Sequence, residues 1–368
     1  MIKLNLDKLR SKTFTFKKPE KEILADDFEE LRLQDKLLII DARTDKEFNK
    51  FKILDSYNFP IQNNEERVII GTLFKEKGQS FAIEKGWELL IPRIDLYLSK
   101  IDEFLKQNLK NKQLVIYCSR GGLRSGILSN LLELLGYNPY RLIGGFKDYK
   151  HILNKHLIKE INLYKGKFII LEGLTGTRKT ELLKKSKLPF LDLEGCAQHK
   201  SSVFGDVGLI PNTQKMFITR LYQQFMLLKH NKVILIEGEA NRIGKVFIPK
   251  ELWIRMQESE RITITATIET RVKATVKDYC DNDSKVKQII ERLDKLVNYI
   301  GKKKKEELLK QFKDKEFNSA IRWLLTEYYD KKYCFANSKN EISICTNDLD
   351  AAIAELNEVY SSKPSSLD

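Results

Sequence analysis

Short apolar runs alternate along this chain with longer segments whose apolar residues recur at helical spacing. The runs KLLIID at 36–41, QLVIYC at 113–118, KFIILEG at 167–173 and KVILIEG at 232–238 are typical of buried strands. Turn residues and then helix-like segments separate these runs, the order expected when helices join parallel strands. The pattern therefore predicts an α/β protein with largely parallel sheets.

Two groups of these elements can be distinguished. In the first group, the run that ends in Asp41 is followed by DKEFNKFKILDSYNFP, which predicts a helix start and then an extended stretch. Further along, the segment YRLIGGFKDY at 140–149 predicts a strand and a Gly144-Gly145 turn. A boundary is expected near residues 150–165, before the run KFIILEG opens the second group. Because 368 residues suffice for two ordinary domains, we predict domains at 1–150 and 151–368, the second ending in basic helices.

Composition narrows the class of protein. The hydrophobic content of 42% is typical of a folded chain. The first residues, MIKLNLDKLRSK, contain no apolar signal-peptide core, and the apolar runs are too short to cross a bilayer. We therefore expect a cytoplasmic protein that makes no membrane contact.

The spacing of the cysteines does not indicate a disulfide framework or a cysteine-based metal site. They lie at positions 118, 196, 280, 334 and 345 and form no Cys-x-x-Cys pair.

The charge of the chain suits a polyanionic partner such as RNA. Lys and Arg exceed Asp and Glu by 65 to 51, a formal net charge of +14. Part of this excess lies in residues 284–315, which include GKKKKEELLKQFK, and we name Lys302, Lys303, Lys304 and Lys305 as candidate RNA phosphate contacts. A solvated helix face would carry the same charges without any such function.

The first chemical motif is YCSRGGLRS at 117–125, where a predicted strand meets a predicted helix. Backbone N–H groups in such a turn form an anion-binding concavity, to which we assign Ser119, Gly121, Gly122 and Leu123. Arg120 and Arg124 add positive charge, so Cys118 is expected to be a thiolate nucleophile near neutral pH. The loop alone leaves three readings: a cysteine phosphatase loop, a rhodanese-type loop that holds sulfur or selenium, or a plain core cysteine.

The second motif nearly matches the phosphate-binding P-loop and follows the strand at Phe168–Leu171. Its backbone and side chains are expected to bind a phosphate or diphosphate, through Gly173, Thr175, Gly176, Thr177, Arg178, Lys179 and Thr180. Arg178 stands where the pattern has glycine, so its side chain is expected either to crowd the phosphate or to supply a further cation. Hydrolysis of ATP does not follow from this match.

Further polar residues follow the P-loop. Glu237 and Glu239 end the strand Val233–Ile236, a place where acidic residues commonly handle Mg²⁺ or a water, although pairing with Arg242 would explain them equally. Glu194 and His199 lie in the intervening segment FLDLEGCAQHKSSVFGD. A lone histidine is more often structural than catalytic, and we assign no metal ligands here.

The order of all the motifs along the chain identifies a protein family more specifically than either loop does by itself. DARTDKEF, NNEERVIIGTLFKEKGQ, YCSRGGLRS, DLEGCAQHKSSVFG, EGEANRIGKVFIP and YYDKKY occur in this order between about Leu38 and Tyr333. This arrangement resembles the bacterial tRNA 2-selenouridine synthases. The resemblance implies a rhodanese-like domain followed by a P-loop NTPase-like α/β domain with a helical C-terminal part.

The resemblance also implies a transferase that modifies the wobble uridine of tRNA in two steps. Geranyl diphosphate first alkylates the sulfur of 2-thiouridine, and selenium from selenophosphate then replaces the S-geranyl group. The P-loop would stabilise the leaving diphosphate, and Cys118 would carry selenium as a perselenide. The implied partners are tRNA with 2-thiouridine and a selenophosphate-making enzyme. We expect a monomer without a tightly bound cofactor, and Mg²⁺ is compatible with the diphosphate site.

Three residues depart from the family pattern, and two other functions stay open. Besides Arg178, Cys196 stands where an aliphatic residue is expected and Ser201 where glycine is expected. The first alternative is a cysteine phosphatase or ordinary sulfurtransferase coupled to a P-loop kinase or NTPase, which leaves the connecting motifs unexplained. The second is a non-catalytic tRNA-binding protein, against which the intact Cys118, Lys179 and Thr180 argue.

Overall fold

The structure, a computed structural model, describes residues 21–332 and 342–362. Tyr333 and Cys334, both used in the sequence analysis, lie outside these ranges. The chain divides into two compact units, Met1–Lys155 and His156–Asp368. This division falls within the helix Gly145–Leu163.

The first unit is built on a five-stranded sheet whose paired strands are all parallel. Its strands are β1 (Glu22–Ile23), β2 (Leu37–Asp41), β3 (Ser56–Asn58), β4 (Gln113–Tyr117) and β5 (Tyr140–Leu142). They are arranged in the order β1-β5-β4-β2-β3. Strands β2 and β4 lie inside the sheet, which explains why they are runs of apolar residues without alternation.

Helices connect these strands in the manner of crossover connections. They are α1 (Ala25–Leu33), α2 (Asp45–Lys50), α3 (Asn64–Lys77), α4 (Gln79–Leu90), a 3₁₀ turn (Ile91–Arg93), α5 (Ile94–Asn108), α6 (Leu123–Leu134) and α7 (Gly145–Leu163). Capping boxes start α2 at Thr44 and α3 at Asn63. Apolar residues of β2, β4, α5 and α6 form the core of this unit, which holds the end of β4 in a fixed place.

The second unit contains another five-stranded sheet with parallel pairing throughout. Its strands are β6 (Lys167–Glu172), β7 (Phe190–Leu191), β8 (Val233–Glu237), β11 (Glu260–Thr265) and β12 (Ser343–Cys345), and a separate antiparallel pair is formed by β9 (Arg242–Ile243) and β10 (Val246–Phe247). The sheet order is β12-β11-β6-β8-β7. Strands β6 and β8 are therefore neighbours, so their carboxyl ends meet at one edge of the sheet.

Helices supply most of the remainder of this unit. They are α8 (Lys179–Ser186), α9 (Leu193–Ala197), α10 (Gln214–Leu228), α11 (Lys250–Gln257), α12 (Ile268–Tyr279), α13 (Asp283–Arg292), a 3₁₀ turn (Leu293–Leu296), α14 (Val297–Lys313), α15 (Phe317–Trp323), a π-helical turn (Leu324–Tyr329) and α16 (Leu349–Ser362). Helix α14 is interrupted at Gly301, whose φ of 77° is not helical. None of the described helices combines the length and apolarity needed to cross a membrane.

Two apolar cores stabilise the second unit. One lies between the sheet and helices α8 and α16. The other, which we call the helical core, is formed by α12 to α15, the π-helical turn and the segment around Phe204. The helical core is separate from the sheet core, as expected for a P-loop domain with an added helical part.

Candidate functional site

Cys118 lies directly after β4 and before α6. Its side chain is only 3% exposed, and its Sγ is 3.2 Å from Oγ of Ser125. The Ser125 hydroxyl itself donates to the carbonyl of Gly122 at 3.1 Å. Because a hydroxyl has a single proton, Ser125 donates at any moment either to the Gly122 carbonyl or to the Cys118 sulfur.

Close backbone approach fixes the shape of the Cys118 loop. The N–H groups of Phe146 and Lys147, in the first turn of α7, donate to the carbonyls of Cys118 at 2.9 Å and Ser119 at 3.0 Å. Gly145 has a φ of +57°, and a Cβ there would lie 2.2 Å from the Cys118 carbonyl oxygen. Gly121 is also left-handed, and its Cβ would approach Leu142 to 2.7 Å. Glycine is therefore required where the loop and the start of α7 meet.

The two arginines of the loop have different environments. Arg124 is buried and forms a two-pronged ion pair with Glu47 of α2, one contact being 3.1 Å. Ser119 joins the pair, accepting from Arg124 at 2.9 Å and donating to Glu47 at 2.9 Å. Arg120 is exposed. From the sequence, both charges are expected to act on the bound anion, whereas in the structure the charge of Arg124 is matched by that of Glu47.

The Glu47 carboxylate is strongly held in its ionised form. Burial acts to raise its pKa, but the hydrogen bonds and the charge of Arg124 outweigh burial and lower the pKa to about 2. Glu47 also accepts from the backbone N–H of Thr44 at 3.1 Å, which completes the capping box of α2. One carboxylate thus starts a helix and holds the Cys118 loop.

The P-loop joins β6 to α8, as predicted. The Lys179 ammonium donates to the carbonyl of Gly173 at 2.9 Å and lies 3.8 Å from Glu237. The Thr180 hydroxyl donates to Glu237 at 2.7 Å, and Gly176 has a φ of +83°. These contacts bring the candidate cation, hydroxyl and carboxylate together at the end of the neighbouring strands β6 and β8.

Arg178 adopts the left-handed conformation that glycine would supply, with a φ of +62°. Its guanidinium donates to Glu181 at 2.9 Å and to the carbonyl of Thr346 at 3.1 Å. Thr346 in turn donates to the carbonyl of Thr177 at 2.8 Å. The side chain therefore links the loop to the segment after β12, and its expected role at a bound phosphate stays a prediction.

Three carboxylates gather beside the P-loop, namely Glu194, Glu237 and Glu239. One oxygen atom from each lies within 4.8 Å of the other two. Burial, together with the charges of the other two, holds the pKa of Glu194 well above its usual value, and burial and the charge of Glu237 raise the pKa of Glu239 to about 8. Oxygen ligands of this kind suit Mg²⁺. From the sequence alone no metal ligands are assigned, and the structure adds these three carboxylates as candidate ligands.

His199 is close to the carboxylates along the chain but is held in a tight slot. Its backbone N–H donates to the Glu194 carbonyl at 3.1 Å. A Cβ on Gly205 or on Gly244 would each lie 2.6 Å from the imidazole ring. Burial lowers the pKa of His199, and its Nδ1 has no hydrogen-bond partner within the described parts of the chain. The glycines on both sides point to a packed ring that positions the segment after α9.

The basic run of α14 is partly engaged within the protein. Lys304 pairs with Glu307 and lies over the ring of Trp323, 4.6 Å from its centre. Lys305 pairs with Asp294. Lys302 and Lys303 are exposed, so these two are the better placed of the four candidate RNA contacts.

Sequence reasoning did not single out two residues that hold these loops. Glu47 lies within the segment DARTDKEF and at the third position of the capping box that Thr44 begins, but neither feature indicates that it pairs with Arg124. Arg271 of α12 is buried, donates to the carbonyl of Thr175 in the P-loop at 2.8 Å, and makes paired contacts with Asp330 at 2.6 and 2.9 Å. No local pattern marks Arg271, because both of its partners are distant in sequence.

The family comparisons agree with this two-part architecture. Residues 166–363 match the family described as "tRNA 2-selenouridine synthase AAA domain", and residues 24–152 match the rhodanese-like domain. The fold predicted from the sequence, a rhodanese-like domain followed by a P-loop domain with a helical part, is confirmed.

Curated relatives bear the same family name. A protein of Nitrosomonas eutropha named tRNA 2-selenouridine synthase is 31% identical over 248 residues, which cover 66% of this chain and 62% of that protein. One of Hydrogenovibrio crunogenus with the same name is 29% identical over 354 residues, covering 87% and 94%. A third, from Bdellovibrio bacteriovorus, is 32% identical and covers 68% and 66%. The similarity therefore includes both domains in at least one relative.

Proposed function

The chain belongs to the tRNA 2-selenouridine synthase family, and from this premise we propose that it converts 2-thiouridine to 2-selenouridine in tRNA, in two steps that use two separate loops. The observation that supports the proposal is the presence in one chain of two strand-to-helix loops whose geometry suits the binding of an anion. One is the Cys118 loop, closed by glycines and braced by the Arg124–Glu47 pair. The other is the P-loop, where Lys179 and Thr180 meet Glu237.

The first proposed step is alkylation of sulfur. The 2-thiouridine sulfur attacks C1 of geranyl diphosphate, a carbon–sulfur bond forms as the carbon–oxygen bond breaks, diphosphate leaves, and the N3 proton of the base passes to solvent. The P-loop N–H groups and Lys179 stabilise the charge that develops on the departing diphosphate. Mg²⁺ held by the carboxylates and Thr180 would supply further charge neutralisation when bound. This step requires no hydrolysis of a nucleotide.

The second proposed step replaces sulfur by selenium at C2 of the base. Its net balance is S-geranyl-2-thiouridine, selenophosphate and water giving 2-selenouridine, geranylthiol and phosphate, with no net oxidation. We assign the selenium to Cys118. When Cys118 is loaded, a sulfur–selenium bond forms between its thiol and selenide, and the two electrons lost pass to a disulfide. When the selenium is released, a thiol cleaves this bond and returns two electrons. A low-molecular-weight thiol and its disulfide are therefore the co-reactants of the covalent route.

The test is mass spectrometry of nucleosides from an anticodon stem-loop that contains 2-thiouridine. The purified protein is incubated with geranyl diphosphate, with and without selenophosphate and the thiol couple, beside the variants Cys118→Ser and Lys179→Ala. We expect S-geranyl-2-thiouridine without selenophosphate and 2-selenouridine with it. Cys118→Ser should block only the second conversion, and Lys179→Ala should slow the first by at least roughly 100-fold.

Two outcomes would redirect the assignment. Release of phosphate from a generic aryl phosphate, with neither modified nucleoside formed, would favour a cysteine phosphatase coupled to a P-loop enzyme. Binding of the stem-loop with no reaction under any condition would favour a tRNA-binding protein without catalysis.

A further inference from the structure

Two carbonyl groups of the P-loop accept hydrogen bonds from buried side chains that are distant in sequence. The Arg271 guanidinium of α12 donates to the carbonyl of Thr175 at 2.8 Å. The Thr346 hydroxyl, in the segment after β12, lies 2.8 Å from the carbonyl of Thr177. Arg271 is 4% exposed and Thr346 is fully buried, so both side chains hold the loop from inside the protein.

The Thr346 hydroxyl has one proton and two carbonyl oxygens within reach. The second is that of Thr265, at 3.1 Å, and this oxygen already accepts the backbone N–H of Thr346 at 2.9 Å. We therefore assign the hydroxyl proton to the shorter contact, which is the one with Thr177.

The contact made by Arg271 supplies direction to the loop more than charge. The two terminal nitrogens of its guanidinium pair with the Asp330 carboxylate at 2.6 and 2.9 Å, and Nε is the atom that donates to Thr175. The pair with Asp330 neutralises the guanidinium and fixes its plane. A Cβ on Gly176 would lie 3.0 Å from the Arg271 carbonyl oxygen, so the loop lies directly against α12.

Both side chains approach the P-loop from the same side. The sheet order β12-β11-β6-β8-β7 places β11, which precedes α12, and β12, which precedes Thr346, on one side of β6. Strand β8 lies on the other side and ends at Glu237. Lys179 and Thr180 contact Glu237. The polar side chains expected to meet a phosphate are therefore on the β8 side of the loop, opposite Arg271 and Thr346.

The direction of each carbonyl determines the direction of the next N–H. In a planar trans peptide unit the two groups point to opposite sides, and the residues that the structure describes contain no cis peptide bond. The Thr175 carbonyl shares its peptide unit with the N–H of Gly176, and the Thr177 carbonyl with that of Arg178. Because both carbonyls are held on the β11 side, both N–H groups point toward the β8 side. Among the described residues, neither N–H has a hydrogen-bond partner.

We propose that Arg271 and Thr346 are positioning residues of the P-loop. Through the carbonyls that they hold, they turn the N–H groups of Gly176 and Arg178 toward the diphosphate of the substrate. Donors that are oriented in advance stabilise an anion without reorganisation at the moment of reaction. The inference rests on the proposed function for the identity of the ligand as a diphosphate, and it extends that function by assigning roles to two side chains outside the loop.

Substitutions of Thr346 test the inference with a small change of shape. Thr346→Val removes the hydroxyl and keeps the volume, whereas Thr346→Ser keeps the hydroxyl. In calorimetry of the full chain with inorganic diphosphate and Mg²⁺, we expect Thr346→Val to weaken the affinity by roughly tenfold and Thr346→Ser by less than about threefold. The control is Thr219→Val, since Thr219 is also buried and donates to a backbone carbonyl, that of Lys215, at 2.9 Å in α10. It should leave the affinity within about twofold of the wild-type value.

A second pair of variants keeps the test decisive if Thr346→Val does not fold. Arg271→Met removes the donor to Thr175 and keeps an unbranched apolar side chain, and the diphosphate affinity should fall by at least roughly tenfold. The control is Arg255→Met. Arg255 donates to the carbonyls of Tyr164 and Gly166 at 3.0 Å each, before the start of β6 and away from the P-loop, so the affinity should stay within about twofold. Urea unfolding establishes that each variant is folded during the titration.

Several outcomes would overturn the inference. They are unchanged diphosphate affinity in folded Thr346→Val and Arg271→Met, equal losses in these variants and their controls, loss in Thr346→Ser as large as in Thr346→Val, and no binding of diphosphate by the wild-type protein.

Failure of the inference is distinguishable from failure of the proposed function. If S-geranyl-2-thiouridine forms equally fast in the wild-type protein, Thr346→Val and Arg271→Met, only the positioning role is wrong. If the diphosphate affinities change as expected but no modified nucleoside forms, the positioning role stands and the proposed reaction is wrong.

Discussion

At the scale of single residues, the pairing of Arg124 with Glu47 changes how the Cys118 loop is understood. A free arginine would add a full positive charge beside the sulfur, whereas a paired one mainly fixes geometry. Both side chains are largely withdrawn from water, with 10% and 27% of their surface exposed. Removal of one partner therefore leaves the other poorly compensated, and the pair is best regarded as the brace of the loop.

The variant Glu47→Gln tests this brace. We expect it to lower the free energy of unfolding at pH 7 by about 1 to 3 kcal/mol, because Arg124 loses its ionic partner and α2 loses its charged cap. Glu88→Gln is the matched control, since the exposed pair Lys85–Glu88 should change stability by less than about 0.5 kcal/mol. Urea unfolding measures both, and equal effects of the two substitutions would contradict the prediction.

The same pair predicts a pH dependence. The pKa of Glu47 is about 2 in the folded protein, below the value of about 4.3 expected for an unfolded chain. Folding therefore favours the ionised form, so the contribution is complete above about pH 5 and disappears as the pH falls through 4 toward 2. The stability difference between the wild-type protein and Glu47→Gln should narrow over that interval.

The residues that could be predicted from the sequence are those that belong to a local motif. Cys118, Lys179 and Thr180 lie where a strand, a glycine-containing loop and a helix follow one another, and the structure places them at those turns. Glu47 could not be paired with Arg124 in this way, because the two are separated by 77 positions. Nor could the sequence orient Arg178, whose direction depends on Thr346, a residue of another strand connection.

At the scale of elements, the start of helix α7 shapes the Cys118 loop. Its first N–H groups donate to the loop carbonyls, and its glycines allow the two backbones to meet. Neither feature follows from helical periodicity, although the sequence did predict a Gly144-Gly145 turn. The element was predictable, but its contact with the loop after β4 was not.

The variant Gly145→Ala probes this contact. The added Cβ would lie 2.2 Å from the Cys118 carbonyl oxygen and 2.5 Å from the Gly121 nitrogen, so the loop must shift. We expect the selenium step to slow by at least roughly tenfold, with geranyl transfer unchanged. Gly136→Ala is the control, since Gly136 also has a positive φ but nothing lies within 4 Å of its added Cβ. Its cost should be backbone strain of about 1 kcal/mol, without loss of the selenium step.

Nucleoside mass spectrometry and thermal unfolding separate the two glycine variants. Loss of geranyl transfer in Gly145→Ala would mean that the substitution disturbs more than the Cys118 loop. Equal rates of the selenium step in both variants would show that the close approach at Gly145 is not needed for that chemistry.

At the scale of the whole molecule, the formal net charge of +14 is distributed over both units, and charge alone does not say which surface meets RNA. The structure reduces the candidates in α14 to Lys302 and Lys303, since Lys304 and Lys305 have partners of their own. An exposed lysine that contacts a phosphate releases a counterion from the RNA when it binds. The number of such contacts is therefore measurable from the dependence of affinity on salt.

We expect the double variant Lys302→Ala/Lys303→Ala to weaken binding of the 2-thiouridine stem-loop and to reduce the slope of log affinity against log salt by about one to two. The control is Lys75→Ala/Lys77→Ala, which removes the same charge from exposed positions on α3 of the first unit. Filter binding between about 50 and 200 mM salt measures both slopes. If both double variants reduce the slope equally, the effect is that of net charge, and α14 is not the RNA-binding element. If only the α14 variant does so, RNA binding is localised to the unit that also carries the P-loop.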